Sequence, residues 1–240
     1  GQACFFRFNR EGNIEARQMA EESAALDSEN SGAYTMLAWT YLMEAWMGWS
    51  ESPEQSMERA VEFAEKSLAL SDTVDPTHSL LSHIYLLKGQ DEEALAEATL
   101  AVTLNPNGAD AHAHLGLITL YLGGPEEAIA LIEKAMRLNP IPPNWYLHSL
   151  ADGYVLTGQY EKAIAEYKKV LSRDPDYMAA LIGLTAAYGC LGWDEARSSA
   201  EQIVKRDPRF SVDSFAGRLR FKNKSHKDRF ISALSNAGLK

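Results

Sequence analysis

An alanine recurs along the chain at steps of 33 to 35 residues. The alanines are Ala60, Ala94, Ala128, Ala163 and Ala196. Prolines and glycines keep the same period, at Pro106, Pro140, Pro175, Pro208, Gly89, Gly123, Gly158 and Gly192. Three markers that share one period predict a helical repeat array, in which each unit buries its apolar face against the next unit.

The residues around these markers predict two helices in each unit. The glycine ends the first helix, because it adopts a left-handed backbone at low steric cost. In Gly124-Pro125-Glu126-Glu127, the proline suits the first helical position of the second helix and the acids suit its N-terminus. The small alanine falls where the two helices cross and lets their backbones approach each other. The proline at the end of the unit stops the second helix.

This pattern resembles the tetratricopeptide-repeat (TPR) family, whose units of about 34 residues have small residues at the helix crossing. The units that fit best are 75–106, 109–140, 144–175 and 178–208. The family's leucine position holds Leu81, Leu115, Leu150 and Leu184, and its tyrosine position holds Tyr85, Thr119, Tyr154 and Tyr188. Thr119 is a departure from the pattern. The resemblance implies an all-α fold, a TPR-like superhelix (solenoid) of about six helix–turn–helix units with terminal capping helices.

The first two units are less regular, and we place them near 1–28 and 31–72. The first unit keeps its second helix, with Phe5, Phe6 and Phe8 as the remnant of a first helix. The second unit has an insertion at 44–57, which we expect to lengthen its first helix and the following loop. Ser52-Pro53-Glu54-Gln55 is typical of a capping box. Trp46 and Trp49 in the insertion either pack on the neighbouring unit or form an exposed apolar lip for a partner.

Residues 209–240 are predicted to form basic capping helices, the last with Ser225 as its N-cap and Gly238 at its C-terminus. Residues 205–240 carry ten Lys and Arg against three acids, whereas the rest of the chain has a formal net charge of −17. We expect the basic end either to fold back on the acidic array or to dock an acidic partner.

Composition narrows the classes of function. The formal net charge of −10 argues against a nucleic-acid partner, and two cysteines exclude a disulfide scaffold. The longest charge-free run is too short to span a bilayer. The sequence contains no phosphate-binding loop, nucleophile elbow or zinc-protease motif, so we expect no enzyme activity, no cofactor and no metal. His112 and His114 point to different sides of one helix and do not chelate one ion.

The TPR resemblance places certain positions of each first helix on a concave groove. The candidate partner-binding residues at these positions are Trp39, Met43, His83, Leu117, Tyr121, Trp145, His148 and Asp152. The groove is mostly apolar and lacks the cations that grip an acidic chaperone tail, which favours an amphipathic helix or apolar peptide. Two alternatives stay open: a small-ligand sensor or enzyme that uses His83, His148 and Asp152, and a homo-oligomeric scaffold that buries the groove. Trp145 itself is either an anchor for the partner or a core residue.

Two phrases, 138–146 and 230–239, resemble the C-terminal TPR region of bacterial class III adenylate and guanylate cyclases, and that of TPR-bearing winged-helix regulators. The resemblance implies a regulatory module appended to an output domain, which is itself a candidate partner. Because the chain does not begin with Met, we interpret it as a processed product or a fragment. The compartment stays open, with the cytoplasm favoured over the periplasm.

Overall fold

The computed structural model describes residues 2–6, 8–71 and 75–240, which form helices joined by short loops and contain no strand. The helices are α1 Gln2–Phe5, α2 Arg10–Leu26, α3 Ser31–Met47, α4 Pro53–Leu70, α5 Asp75–Lys88, α6 Asp91–Leu104, α7 Ala109–Tyr121, α8 Pro125–Leu138, α9 Asn144–Leu156, α10 Tyr160–Arg173, α11 Met178–Leu191, α12 Glu195–Arg206, α13 Val212–Arg218 and α14 Lys224–Asn236. None of these helices combines the length and the hydropathy that a bilayer crossing requires, within the residues described. The prediction of an all-α fold is confirmed.

The periodic alanines lie at the helix crossings, as predicted. Ala60, Ala94, Ala128 and Ala163 are fully buried, and Ala196 is nearly so. Sequential helices pack in pairs, such as α5 on α6 and α9 on α10. A methyl side chain at each crossing lets two helices approach closely enough to exclude water from the seam.

The periodic glycines end the first helices in the left-handed conformation. Gly89, Gly123, Gly158 and Gly192 have φ values of 75°, 97°, 75° and 69°. The second helix of each pair begins shortly after its glycine, as at Asp91 and Pro125. The short turn therefore fixes the pairing of the two helices.

The chain divides into two compact parts, one ending at Ile118 and the other beginning at Thr119, with the boundary inside α7. The first part contains the irregular second unit. Helix α3 has 17 residues and α4 has 18, whereas α5 and α6 have 14 each. The insertion thus lengthens the second helix as well as the first helix and its loop, which corrects the prediction.

The predicted capping box at the start of α4 is wrong. Ser52 occupies the N-cap and Pro53 the first turn, but the Ser52 side chain makes no capping hydrogen bond. The Ser52 backbone N–H instead donates to Oγ of Ser50, and the Ser56 hydroxyl donates to Glu44. The extended first helix brings Glu44 to this turn, so Ser56 bonds across to α3.

The tryptophans of the insertion pack inside the first part. Trp46 and Trp49 are half-buried and lie against a cluster formed by Phe5, Ala16 and Met43. The remnant helix α1 supplies Phe5, whose ring lies 6.0 Å from that of Trp39. The aromatic residues at the start of the chain and those of the insertion therefore share one core.

The second part ends with the two predicted terminal helices. Helix α14 packs on α11 through Phe230, Ala233 and Leu234, which are buried. Its N-cap is Asn223, whose side chain accepts a hydrogen bond from the Ser225 backbone N–H. The prediction of Ser225 as the cap is therefore wrong, because Ser225 already lies within the first turn of the helix.

Candidate functional site

The first part contains a pair of histidines within an aromatic cluster. Nε2 of His83 and Nδ1 of His114 share a hydrogen bond of 3.0 Å. The ring of Trp39 stacks on His114 at 5.2 Å and is tilted against His83 at the same distance. The Trp46 ring lies 5.7 Å from that of His83. One imidazole thus donates a hydrogen bond to the other, and the indole rings of Trp39 and Trp46 lie beside the pair.

Burial keeps this histidine pair neutral. It lowers the pKa of His83, and the charge of His114 lowers it further. Burial also lowers the pKa of His114 to about 4, although the nearby Asp110 acts in the opposite direction. Nδ1 of His83 is buried and has no hydrogen-bond partner among the described residues. The arrangement therefore disfavours a second proton on either ring at neutral pH.

The other candidate residues of the first part differ in exposure. Met43 is buried in the aromatic core, and His83 is only 1% exposed. Trp39 is half-buried, and its ring is covered by Phe5 and the two histidines. Leu117 is half-buried on α7. These side chains mainly build the interior of the first part.

In the second part, a carboxylate lies among aromatic rings on the first helix α9. Oδ1 of Asp152 accepts a hydrogen bond of 2.5 Å from the Tyr167 hydroxyl, and Oδ2 lies 3.7 Å from Nδ1 of His148. The His148 ring lies 5.9 Å from that of Tyr167 and 5.7 Å from that of Tyr177. The side chains of His148 and Asp152 remain 21% and 14% exposed, so each keeps a small part of its surface in contact with solvent.

Burial raises the pKa of Asp152, and the opposing effects of His148 and the Tyr167 hydrogen bond are smaller. Burial, together with the Asp152 charge, raises the pKa of Tyr121 and of Tyr177. The tyrosines therefore keep their protons and can donate hydrogen bonds. We call Tyr121, His148, Asp152, Tyr167 and Tyr177 the tyrosine–aspartate cluster.

A segment of the chain itself lies on the edge of this cluster. The Phe221 ring stacks on Tyr121 at 5.4 Å with an interplanar angle of 29°. The backbone N–H of Lys222 donates to the Tyr121 carbonyl oxygen at 2.8 Å. Tyr121 is half-buried by this contact. The sequence predicted Tyr121 as an anchor for a partner, and the structure places a phenylalanine on it.

Trp145 points into the core instead. It is 5% exposed, and its ring meets that of Tyr146 edge-on at 4.4 Å. Of the two roles left open for Trp145, this structure favours the core residue. His148 and Asp152, on the next turns of the same helix, keep part of their surface accessible.

The sequence reasoning missed Tyr167 and Tyr177, which lie outside the first helices. Tyr167 belongs to the second helix α10, and its ring fits against Gly183 of α11, where an added Cβ would overlap the ring. A glycine in the middle of a helix, at a position where a bulky neighbour must pass, could have signalled this close approach. The reasoning also missed the pairing of His83 with His114, whose separation of 31 residues is close to one repeat.

No group of three or more His, Cys, Asp or Glu side chains is arranged to hold a metal ion in the part of the chain that the structure describes. The two cysteines, Cys4 and Cys190, are free. The tyrosine–aspartate cluster offers groups for hydrogen bonding, namely one carboxylate, one imidazole and several hydroxyls.

Comparison with known proteins agrees with the helical repeat fold. Tetratricopeptide-repeat family models match residues 76–107, 109–142 and 145–177. The chain contains tetratricopeptide repeats. The matches cover the helix pairs that carry the most regular markers. No curated protein sequence matches the chain.

Solved structures show the same fold at low sequence identity. PilW, described as a widely conserved type IV pilus biogenesis factor, is 20% identical with a TM-score of 0.63, and the match covers 87% of each chain. TTC0263, described as a thermophilic TPR protein in Thermus thermophilus, is 22% identical with a TM-score of 0.57, covering 73% of this chain and 90% of that one. YrrB, described as a TPR protein with an unusual peptide-binding site, is 18% identical with a TM-score of 0.50, covering 85% of this chain and 100% of that one.

Proposed function

We propose that this chain is a non-enzymatic interaction module that binds a peptide or helix on the surface around Tyr121, His148 and Asp152. The observation that carries the proposal is the segment already lying there. Phe221 stacks on Tyr121, and the next residue donates a backbone hydrogen bond to the Tyr121 carbonyl. An aromatic residue of a bound peptide would form the same two contacts, a ring stack and a backbone hydrogen bond.

The cluster beside this contact suggests what else the partner offers. Asp152 is a partly exposed carboxylate whose pKa is raised chiefly by burial, so its charge is poorly solvated. A cationic or hydroxyl-bearing side chain placed on it would compensate for that lost solvation. The surrounding tyrosine rings would contact the aliphatic part of such a side chain. We therefore expect the partner to pair an aromatic residue with a nearby donor.

The fold supports a recognition role by likeness. The similar structure YrrB is a TPR protein with a peptide-binding site by its own description. In a helical repeat, packed helices hold the binding residues rigidly, so the receptor loses little conformational entropy on binding. The proposed partner is a domain upstream of this chain, as the resemblance to cyclase and winged-helix regulator TPR regions implies.

The test is a selection of displayed random peptides of helix length against the full chain. Enriched peptides should carry an aromatic residue and a nearby Lys, Arg or hydroxyl side chain. In a Phe221→Ala background, which removes the ring already lying on Tyr121, their affinity should fall by about fivefold or more when Tyr121 is also replaced by alanine, the loss expected for a hot-spot residue. Trp193→Ala is the matched control, because Trp193 is an aromatic residue of the same part that is 42% exposed. Equal affinities for Phe221→Ala and Tyr121→Ala/Phe221→Ala would refute this site.

A further inference from the structure

Residues 219–239, called here the tail, contact the second part at several points. Its first contact is the Phe221 ring on Tyr121, at the end of α7. Further along, the Arg229 guanidinium hydrogen-bonds with the Tyr160 hydroxyl at the start of α10. The tail thus reaches three successive repeat units, ending on α11.

The contact with α11 depends on a glycine. A Cβ placed on Gly189 would lie 2.5 Å from the carbonyl oxygen of Ala233, so only glycine admits the backbone of α14 at this point. The buried residues Phe230 and Leu234 lie to either side of Ala233 on the same face of α14. The next residue of α11 is Cys190, which is half-buried, and its thiol is hydrogen-bonded with Tyr160 and lies near the charge of Arg229 on α14.

The two ends of the tail are held unequally. At the α11 end, Phe230, Ala233 and Leu234 are all buried. At the Tyr121 end, Phe221 is only half-buried and lies in a non-helical stretch between α13 and α14. This stack is half-buried and lies outside any helix, so this end should open more easily than the buried α11 end.

We propose that the tail is an intramolecular ligand, which competes with an external peptide for the surface around Tyr121. This inference rests on the proposed function, and it names the chemistry of the partner. The external segment should resemble the tail, with an aromatic residue for Tyr121 followed by a basic amphipathic helix. Lys224, Lys227 and Arg229 give the tail that character.

One pair of variants separates competition from simple support of the fold. Tyr121→Ala and Phe221→Ala remove the same intramolecular stack, one from the surface and the other from the tail. With a peptide from the selection as the probe, the Tyr121→Ala/Phe221→Ala double variant should bind more weakly than Phe221→Ala, because the tail stack is absent from both. Phe221→Ala should bind about three- to tenfold more tightly, the range expected when one competing aromatic contact is lost. Equal binding by Phe221→Ala and the wild type would overturn the competition.

A second readout reports the position of the tail directly. In a Cys4→Ser background Cys190 is the only thiol; it is half-buried and burial raises the pKa of the thiol, so its alkylation by N-ethylmaleimide should be slow. Gly189→Ala should raise this rate because the new methyl group excludes Ala233. The matched control is Gly217→Ala, where no atom lies within 4 Å of the added Cβ. An unchanged alkylation rate in Gly189→Ala would show that the close contact between Gly189 and Ala233 does not hold the tail, and it would overturn the proposal.

The third arm supplies the tail in trans. A fluorescent peptide of residues 217–240 should bind the full-length Phe221→Ala/Phe230→Ala variant, bind the wild type far more weakly, and compete with the selected peptides. No binding to the double variant, in a sample whose helical circular dichroism matches the wild type, would overturn the proposal. If instead the tail peptide binds and displaces nothing selected through Tyr121, the proposed function stands and the competition is refuted.

Discussion

The Tyr167 hydroxyl donates a hydrogen bond of 2.5 Å to Oδ1 of Asp152, and so joins the second helix of one repeat to the first helix of the same repeat. Tyr167 is fully buried, whereas the Asp152 side chain keeps 14% of its surface exposed. The bond therefore connects the core of the second part to the surface proposed above for recognition. A substitution that displaces Tyr167 should therefore also alter the position of the Asp152 carboxylate, and the reverse should hold.

Asp152→Asn should not lower the stability of the protein at neutral pH. The amide oxygen still accepts from Tyr167, while the poorly solvated charge is gone. Because burial raises the pKa of Asp152, its contribution to stability is fully present below the unfolded pKa and is lost as the pH rises through the folded value. Thermal melts at several pH values should show the variant gaining on the wild type as the pH rises. A variant that melts lower at neutral pH and gains nothing on this rise would contradict the assignment.

Gly183→Ala should displace the Tyr167 ring. The added Cβ falls within that ring, which cannot shift without weakening the hydrogen bond to Asp152. Overpacking of this kind costs about 1–3 kcal/mol of unfolding free energy. Gly217→Ala provides the control, since its Cβ meets nothing and alanine favours the helix by up to about 1 kcal/mol. Urea denaturation of both variants compares the two effects, and equal stabilities would argue against the close approach of Tyr167.

The His83–His114 pair should make the first part sensitive to acid. Burial lowers the pKa of His114 from 6.5 to about 4 and lowers that of His83 as well. A depressed folded pKa gives stability that is present above the unfolded value and is lost as the pH falls through the folded value. As the pH falls from 6.5 to 4, the pair should therefore lower the free energy of unfolding by an amount on the order of 1–3 kcal/mol.

The measurement for this pair is the difference in unfolding free energy between the wild type and His114→Gln across the same pH range. Subtraction removes the contribution of the many carboxylates that also titrate in acid. The wild type should lose stability faster than the variant as the pH falls. Parallel curves would show that the pair does not carry the proton linkage.

The sequence predicts the fold well because each repeat unit places the same residue types at the same structural positions. An alanine at a helix crossing and a glycine in a left-handed turn have no substitutes, so their positions along the chain record the helix pairs. The capping of α4 and α14 was predicted less well, because Ser52 and Asn223 respond to neighbours that the local sequence does not reveal. Family helix faces likewise placed His148 and Asp152 correctly on one helix, but they carry no information on Tyr167 from the other helix.

The contact of the tail with Tyr121 could not be predicted from the sequence pattern. Helix periodicity predicted α13 and α14, but Phe221 lies between them, in a stretch without periodicity. Its position on Tyr121 is set by the docking of α14 at Gly189, a tertiary contact. A basic end on an acidic chain favoured folding back in general terms, but charge alone does not choose the ring that becomes covered.

The register of the whole array is tested by enlarging the crossing alanines. Ala94, Ala128 and Ala163 are fully buried where two helices meet, so leucine at any of them overpacks the seam and should cost about 1–3 kcal/mol. Each helix also contains its own control two residues further on. The exposed control residues are Ala96, Ala130 and Ala165. Leucine at an exposed helical site should change stability by less than about 0.5 kcal/mol.

Six single variants, measured by urea denaturation, would therefore form three matched pairs. In every pair the crossing variant should be the less stable, and its m-value should match that of the wild type if the folded state keeps its compactness. The comparison cancels the effect of leucine on helix propensity, because both members of a pair lie within one helix. A control that destabilises as much as its crossing partner would mean that the helix is rotated from the register described, and the surface assigned to Tyr121 and Asp152 would rotate with it.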